Sequence, residues 1–296
     1  MALRVVIGLA LVAMSVAVVP AAAGVGAADL AAAERAEQRA ERMWWYDRAA
    51  WRGTDAFMAT VQAKGLDLAA LLQGGEAGYV VEPGKGKALT VTFFVARGGV
   101  ARAIAVFGYD PASDAAQGDM TPGGATLGGG QPLTALGLRM VAAQQAMWQR
   151  MGTPGHGVCS RDRPNTLILP EADGGLSAYV MSASRDWSRY PMGGHYRFDF
   201  AADGHLVAER AFTRGCLNMD VNQTGAKALG VTHVMDPAPT EIHAFISRQL
   251  GALKHLDLMV ATTPNGEMWI WHDGRLNDHR PLPPAAADAA PPAKPS

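Results

Sequence analysis

The chain has 296 residues, 49% of them hydrophobic and 18% charged, with a formal net charge of −1 and a pI near 6.7. The low charged fraction and the lack of like-charge blocks exclude a disordered polyelectrolyte. With 26 basic against 27 acidic residues there is no excess to hold a phosphate backbone, so nucleic acid is not expected as a partner.

Residues 1–28 read as a secretory signal peptide. Arg4 ends a short positive region, Val5 to Val19 is apolar, and Pro20 precedes a run of alanine and glycine with cleavage points after Ala23 or Ala27. Val5 to Ala28 carries no charge, so an uncleaved anchor is the alternative. Cleavage removes Arg4 alone among charged residues, which takes the formal charge from −1 to −2. No later segment reaches spanning length, so a mature chain without a membrane span, periplasmic or secreted, is expected. An even cysteine count in an oxidising compartment predicts one disulfide, Cys159 to Cys216.

Residues 29–75 are expected to form N-terminal helices packed on the main body. Ala, Glu and Arg favour a helix over 29–51, which could also serve as an oligomerisation arm. Trp44, Trp51 and Met58 recur at seven-residue spacing and read as a core-facing stripe. Thr54 is expected to cap a second helix and Asp67 a third, Leu68 to Leu72.

From residue 76 to 280 an α+β domain is predicted, mainly antiparallel strands with one long central helix. Gly78 to Val81, Leu89 to Val95 and Val100 to Phe107 read as a meander. The glycine- and proline-rich stretch 108–132 reads as a long loop, and its Gly128-Gly129-Gly130 lacks the Gly-Lys-Ser/Thr of a phosphate cradle. Leu133 to Arg150 has the apolar stripe of a helix. Strands are then expected at Thr166–Leu169, Leu176–Met181, His195–Phe200, Leu206–Phe212 and Val231–Met235. Thr240 starts a helical or extended segment, and Leu258–Thr262 pairs with Met268–Trp271. The tail, 281–296, is Pro/Ala-rich and expected to be disordered.

His-Glu-x-x-His, Gly-x-Ser-x-Gly, Cys-x-x-Cys and Ser-x-x-Lys are all absent. Seven of the eight histidines lie at or beyond His195. The run Thr232-His233-Val234-Met235-Asp236-Pro237, followed by Thr240, His243 and a strand–turn–strand ending at Trp271, resembles the JAMM (MPN-type) metallopeptidases. The resemblance implies that His233 is a metal ligand, Thr240 stands at the family's serine, and His243 stands at its aspartate. Met235 occupies the second histidine position, and the interval to Thr240 is short. Glu209 is the candidate for the upstream catalytic glutamate.

Two functions are therefore expected. The first is a non-enzymatic exported protein that binds a small ligand or an envelope partner, with no cofactor. The alternative is a zinc-dependent hydrolase, or its catalytically degenerate relative, built on His233 and His243.

Overall fold

The computed structural model describes residues 25–183 and 188–283. The leader up to residue 24 and the tail from 284 lie outside the described residues.

The fold is α+β. Helix α1 (Ala27–Ala63) runs through the molecule and is followed by the short α2 (Leu68–Leu72). Strands β1 (Glu76–Pro83), β2 (Leu89–Arg97), β3 (Val100–Asp110) and β4 (Ala115–Met120) make an antiparallel sheet, with β5 (Gln131–Pro132) joined to β3. Helix α3 (Ala135–Met151) leads to β6 (Asn165–Pro170), β7 (Leu176–Met181), β8 (Arg189–Pro191), β9 (Tyr196–Phe200) and β10 (Leu206–Ala211). Of these, β10-β9-β7-β6 form a second antiparallel sheet, while β8 pairs with β11 (Asn218–Asp220). The last sheet runs β12 (Ala228–His233), β13 (Asp257–Thr262), β14 (Glu267–His272) and β15 (Arg275–Pro281). Helix α4 (Glu241–Lys254) bridges β12 to β13, and these two strands are parallel. That single crossover unit departs from the otherwise antiparallel pattern.

Two cores flank the first two sheets. On β2, Val91, Phe93 and Val95 face the core around α1, while Phe94 and Ala96 face the core around α3. Strand β7 divides the same way, with Tyr179 and Met181 on one side and Ala178 and Val180 on the other. The two-residue side-chain period explains the split. It also explains why these strands are mainly apolar instead of strictly alternating: both faces are covered.

The α1 core gathers Met43, Ala49 and Phe57 against Phe107 of β3, Phe245 of α4 and Trp269 of β14. Phe57 stacks on Phe93 with ring centroids 4.4 Å apart. Residues 29–75 thus share one core with strands from two sheets. Alanines 33, 36, 40, 49 and 50 form the buried face of α1, and they let neighbouring backbones come close. Gly53 continues that face, because a Cβ there would lie 2.9 Å from a Val91 methyl.

Three expectations are corrected. First, α1 is one helix of 37 residues, and the Thr54 hydroxyl donates to the Ala50 carbonyl within it instead of capping a new helix. Its N-terminal half is also docked, with Ala33 and Ala40 fully buried. Second, the 108–132 stretch is not one loop, since β4 pairs with β3 from Ala105–Met120 to Asp110–Ala115. Ladder hydrogen bonds come from the backbone, so a strand poor in apolar side chains still forms. Gly118 is needed there, because a Cβ would lie 2.0 Å from the Val106 carbonyl oxygen. Third, the tail expected from 281 does not begin there, because the edge strand β15 runs through Pro281, which pairs with Glu267.

Cys159 and Cys216 are disulfide-bonded, with Cα atoms 5.2 Å apart. Among the described residues, no helix is long and apolar enough to cross a membrane.

Candidate functional site

A cavity of about 1960 Å³ opens between α1, α3, α4, β1 and β8. Its volume exceeds the few hundred to about 1,000 Å³ of a typical small-molecule site. Helix α1 supplies one wall with Trp44, Trp45, Asp47, Arg48 and Trp51. Helix α4 supplies another through Ile242, Phe245, Ile246, Gln249 and Leu253, a spacing that holds one helical face.

Large apolar side chains stand exposed at the mouth. Trp51 is 45% exposed, Met58 47%, Leu253 39% and Trp148 of α3 36%. Trp51 and Met58 therefore face the opening, which corrects their core-facing reading, whereas Trp44 borders the cavity and also packs against the α1 core as expected. The seven-residue spacing gave one face of α1 correctly, but α1 has two apolar faces. The alanine face fills the core and the tryptophan face lines the opening.

Arginines hold the tryptophans in place. Arg52 and Arg48 lie 6.0 and 5.0 Å from the Trp51 ring centre, and Arg48 lies 5.7 Å from that of Trp44. Arg248 of α4 then covers Trp44 at 5.5 Å and Trp45 at 5.7 Å. Each such cation–ring contact at a partly exposed position stabilises by about 0.5–1 kcal/mol. Asp114, in the β3–β4 turn, anchors the ladder. It accepts from Arg52 at 2.7 Å, from Tyr109 at 2.9 Å, and from both Arg48 Nε and Nη2. Burial works to raise its carboxyl, but these hydrogen bonds prevail and hold it near 2.

Asp47 differs from every other acid in this wall. It keeps part of its surface on the cavity yet is surrounded by protein, and burial pushes its carboxyl from 3.8 up to about 6. Arg48 and a hydrogen bond with the Gln249 side chain oppose that rise. The Tyr190 hydroxyl donates to Gln249 Oε1, which leaves the amide nitrogen of Gln249 as the donor toward Asp47. Tyr79 hydrogen-bonds the Thr166 carbonyl at 3.3 Å, and burial followed by the Asp47 charge raises its hydroxyl to about 12. His195 also borders the cavity. Its Nδ1 accepts from Ser182 N–H at 3.2 Å, so Nε2 carries the proton and donates to the Pro191 carbonyl at 3.2 Å. Burial lowers its pKa to about 4. With both nitrogens engaged, His195 is a neutral structural group.

The histidines singled out by the JAMM resemblance lie elsewhere. His233 and His243 do meet, with ring centroids 4.7 Å apart. His233 Nε2 bonds Asp236 at 2.7 Å, and Asp236 also accepts from Arg210 at 2.6 Å. His243 Nδ1 accepts from the Thr240 N–H at 3.0 Å, closing the first turn of α4. Burial, then the charges of His233, His195 and Arg210, push His243 well below its ordinary pKa. Glu209 is not with them. It bonds Arg150 at 2.8 Å and His156 at 2.5 Å on the α3 side of the sheet, while its strand neighbour Arg210 turns to the other face.

Among the described residues no group of three or more His, Cys, Asp or Glu is placed to hold a metal. A catalytic zinc takes three protein ligands and an open position. The residues present do not fit it.

A second pocket of about 480 Å³ lies beside the start of α4 and is rich in arginine. Its guanidinium groups are largely matched within the protein. Arg39 bonds Glu171 at 2.6 Å, Arg197 bonds Glu241 at 2.6 Å, and Arg210 bonds Asp236. This network ties α1, the second sheet and α4 together.

No family model matches the chain, and comparison with curated proteins and with solved structures returns no match. The cavity is thus read from its own chemistry.

Asp47 and Gln249 were missed in the sequence, although a signal for Asp47 was present. Trp44, Asp47 and Trp51 stand at i, i+3 and i+7, which puts a carboxylate on the tryptophan face.

Proposed function

We propose that this is an exported binding protein whose aromatic cavity takes up a small amphiphilic molecule with a substantial apolar part. The observation that carries the reading is a cavity of about 1960 Å³ whose mouth is edged by exposed Trp51, Met58, Trp148 and Leu253. Contiguous apolar surface left open to water costs stability, and a concave aromatic patch with a few polar groups is the usual form of a ligand site. The disulfide and the leader-like N-terminus support placement outside the cytoplasm.

Cleavage after Ala23 fits this reading better than cleavage after Ala27. It retains Val25, which packs against the core, and Gly26, the residue before α1. N-terminal sequencing of the exported protein is expected to begin at Gly24, whereas a start at Ala28 would contradict this choice.

Binding is tested with the full mature chain and the neutral fluorophore N-phenyl-1-naphthylamine. Its emission is expected to rise to saturation at one molecule per chain, and decanol is expected to displace it. A linear, non-saturating rise would overturn the proposal.

A further inference from the structure

On the reading of the cavity as a binding site, we propose that its ligand carries a protonated amine, seated on the Asp47 carboxylate beside the rings of Tyr79 and Tyr190. The charges on the wall point to this class. Arg48, next to Asp47 in sequence, is turned to Asp114 and sandwiched between Trp44 and Trp51. Its charge is matched there. Arg163 lies at the exposed edge of the opening. Asp47 is left with a neutral amide partner, Gln249, whose own oxygen is occupied by Tyr190.

A carboxylate has about four acceptor positions, and the Gln249 amide donor fills one of them. An ammonium group brings three donors and the opposite charge. Aromatic faces add attraction for a cation close to them. An anionic head would meet Asp47 as a like charge, and an uncharged head would leave the carboxylate with no counter-charge beyond Arg48, whose guanidinium is already engaged by Asp114.

The titration of Asp47 agrees with the geometry. Burial raises it to about 6 in the empty protein, so an arriving cation relieves a cost already present and draws the proton off. The groups that feel Asp47 are Arg48 on its own helix, Tyr79 of β1 and Tyr190 of β8, with neutral Gln249 of α4. Both tyrosines are pushed up by burial and His195 is held near 4, so none of them changes state between pH 5 and 7.5. Asp47 does.

The test compares decylammonium, decanol and decanoate binding to the full mature chain by calorimetry. At pH 7.5 decylammonium is expected to bind at least tenfold more tightly than decanol, and decanoate more weakly than either. Asp47→Asn is expected to remove the advantage of decylammonium over decanol. In the wild type, going from pH 7.5 to 5 is expected to weaken decylammonium about tenfold, because a group with a pKa near 6 is then about nine-tenths protonated. Equal binding of decylammonium and decanol overturns the amine and leaves the cavity reading standing. An amine advantage that survives in Asp47→Asn also overturns it. Failure of all three ligands to bind removes both readings. Should Asp47→Asn lose decanol binding, the pH comparison on the wild type decides alone.

Discussion

Replacing Asp47 by Asn is predicted to stabilise the protein at neutral pH. Burial raises the carboxyl from 3.8 in the unfolded chain to about 6 in the folded one. The sign follows from proton linkage. Between those values the folded state binds the proton more tightly, so stability is fullest below 3.8 and falls as pH rises through about 6. A shift of about 2 units at 1.36 kcal/mol per unit puts the loss at about 3 kcal/mol by pH 7.5. Asn keeps the shape and a hydrogen-bonding oxygen without the charge, so it escapes that loss. The expected gain is about 3 kcal/mol at pH 7.5, a rise in Tm of about 6–12 °C for a chain of this size. At pH 4 the folded wild type is protonated, and the gain shrinks to under about 1 kcal/mol. Urea unfolding of both proteins at pH 7.5 and pH 4 measures it. A variant no more stable than wild type at pH 7.5, or one whose advantage persists undiminished at pH 4, would refute the reasoning. A carboxylate kept against stability on a cavity wall is the pattern expected of a ligand contact.

Three further outcomes are expected. Thiol titration of the denatured, unreduced protein should find no free cysteine, and the Cys159→Ser, Cys216→Ser double variant should lose about 4 kcal/mol by the loop-entropy model for a separation of 57 residues; two titratable thiols would contradict the pairing. Asp114→Asn should cost about 1–2 kcal/mol at pH 7, discounted for partial exposure, and should red-shift tryptophan emission as Arg48 and Arg52 lose their anchor. Since Asp114 is held near 2, the stability it contributes is present above 3.8 and lost as pH falls toward 2, so the variant should converge on wild type in acid. Dialysis against a chelator should leave the melting temperature unchanged, whereas a drop restored by zinc would show a metal site at His233 and His243.

The strands were legible because their side chains speak for both faces. Leu89–Val95 and Leu176–Met181 are mainly apolar, broken only by Thr90, Thr92 and Ser177, and each lies between two cores. Strand β4 was not legible, since only Ala116 and Met120 of Ala115–Met120 pack against the core, and the position between them on that face is Gly118, needed for close approach. The continuity of α1 through Thr54 was hidden because a threonine reads as a cap, while here its hydroxyl satisfies a carbonyl one turn back. For the site, local sequence drew attention to the wrong residues. His233 and His243 stand close in sequence and meet in space, but Asp236 and the first turn of α4 already engage them. The cavity joins residues as distant as Asp47 and Gln249. Their relation depends on how α1 crosses α4, which no local pattern encodes.

The central claim is that the cavity holds an apolar chain against its tryptophans, and contact quenching by a brominated alkanol tests it most directly. Trp44, Trp45, Trp51 and Trp148 border the cavity, while Trp269 and Trp271 are fully buried in the core. Titration with 10-bromodecanol at pH 7.5 should give saturable quenching at one molecule per chain, with residual emission from the core tryptophans. Quenching that never saturates, or that is unchanged when Trp44, Trp45, Trp51 and Trp148 are all replaced by Phe, would contradict the account.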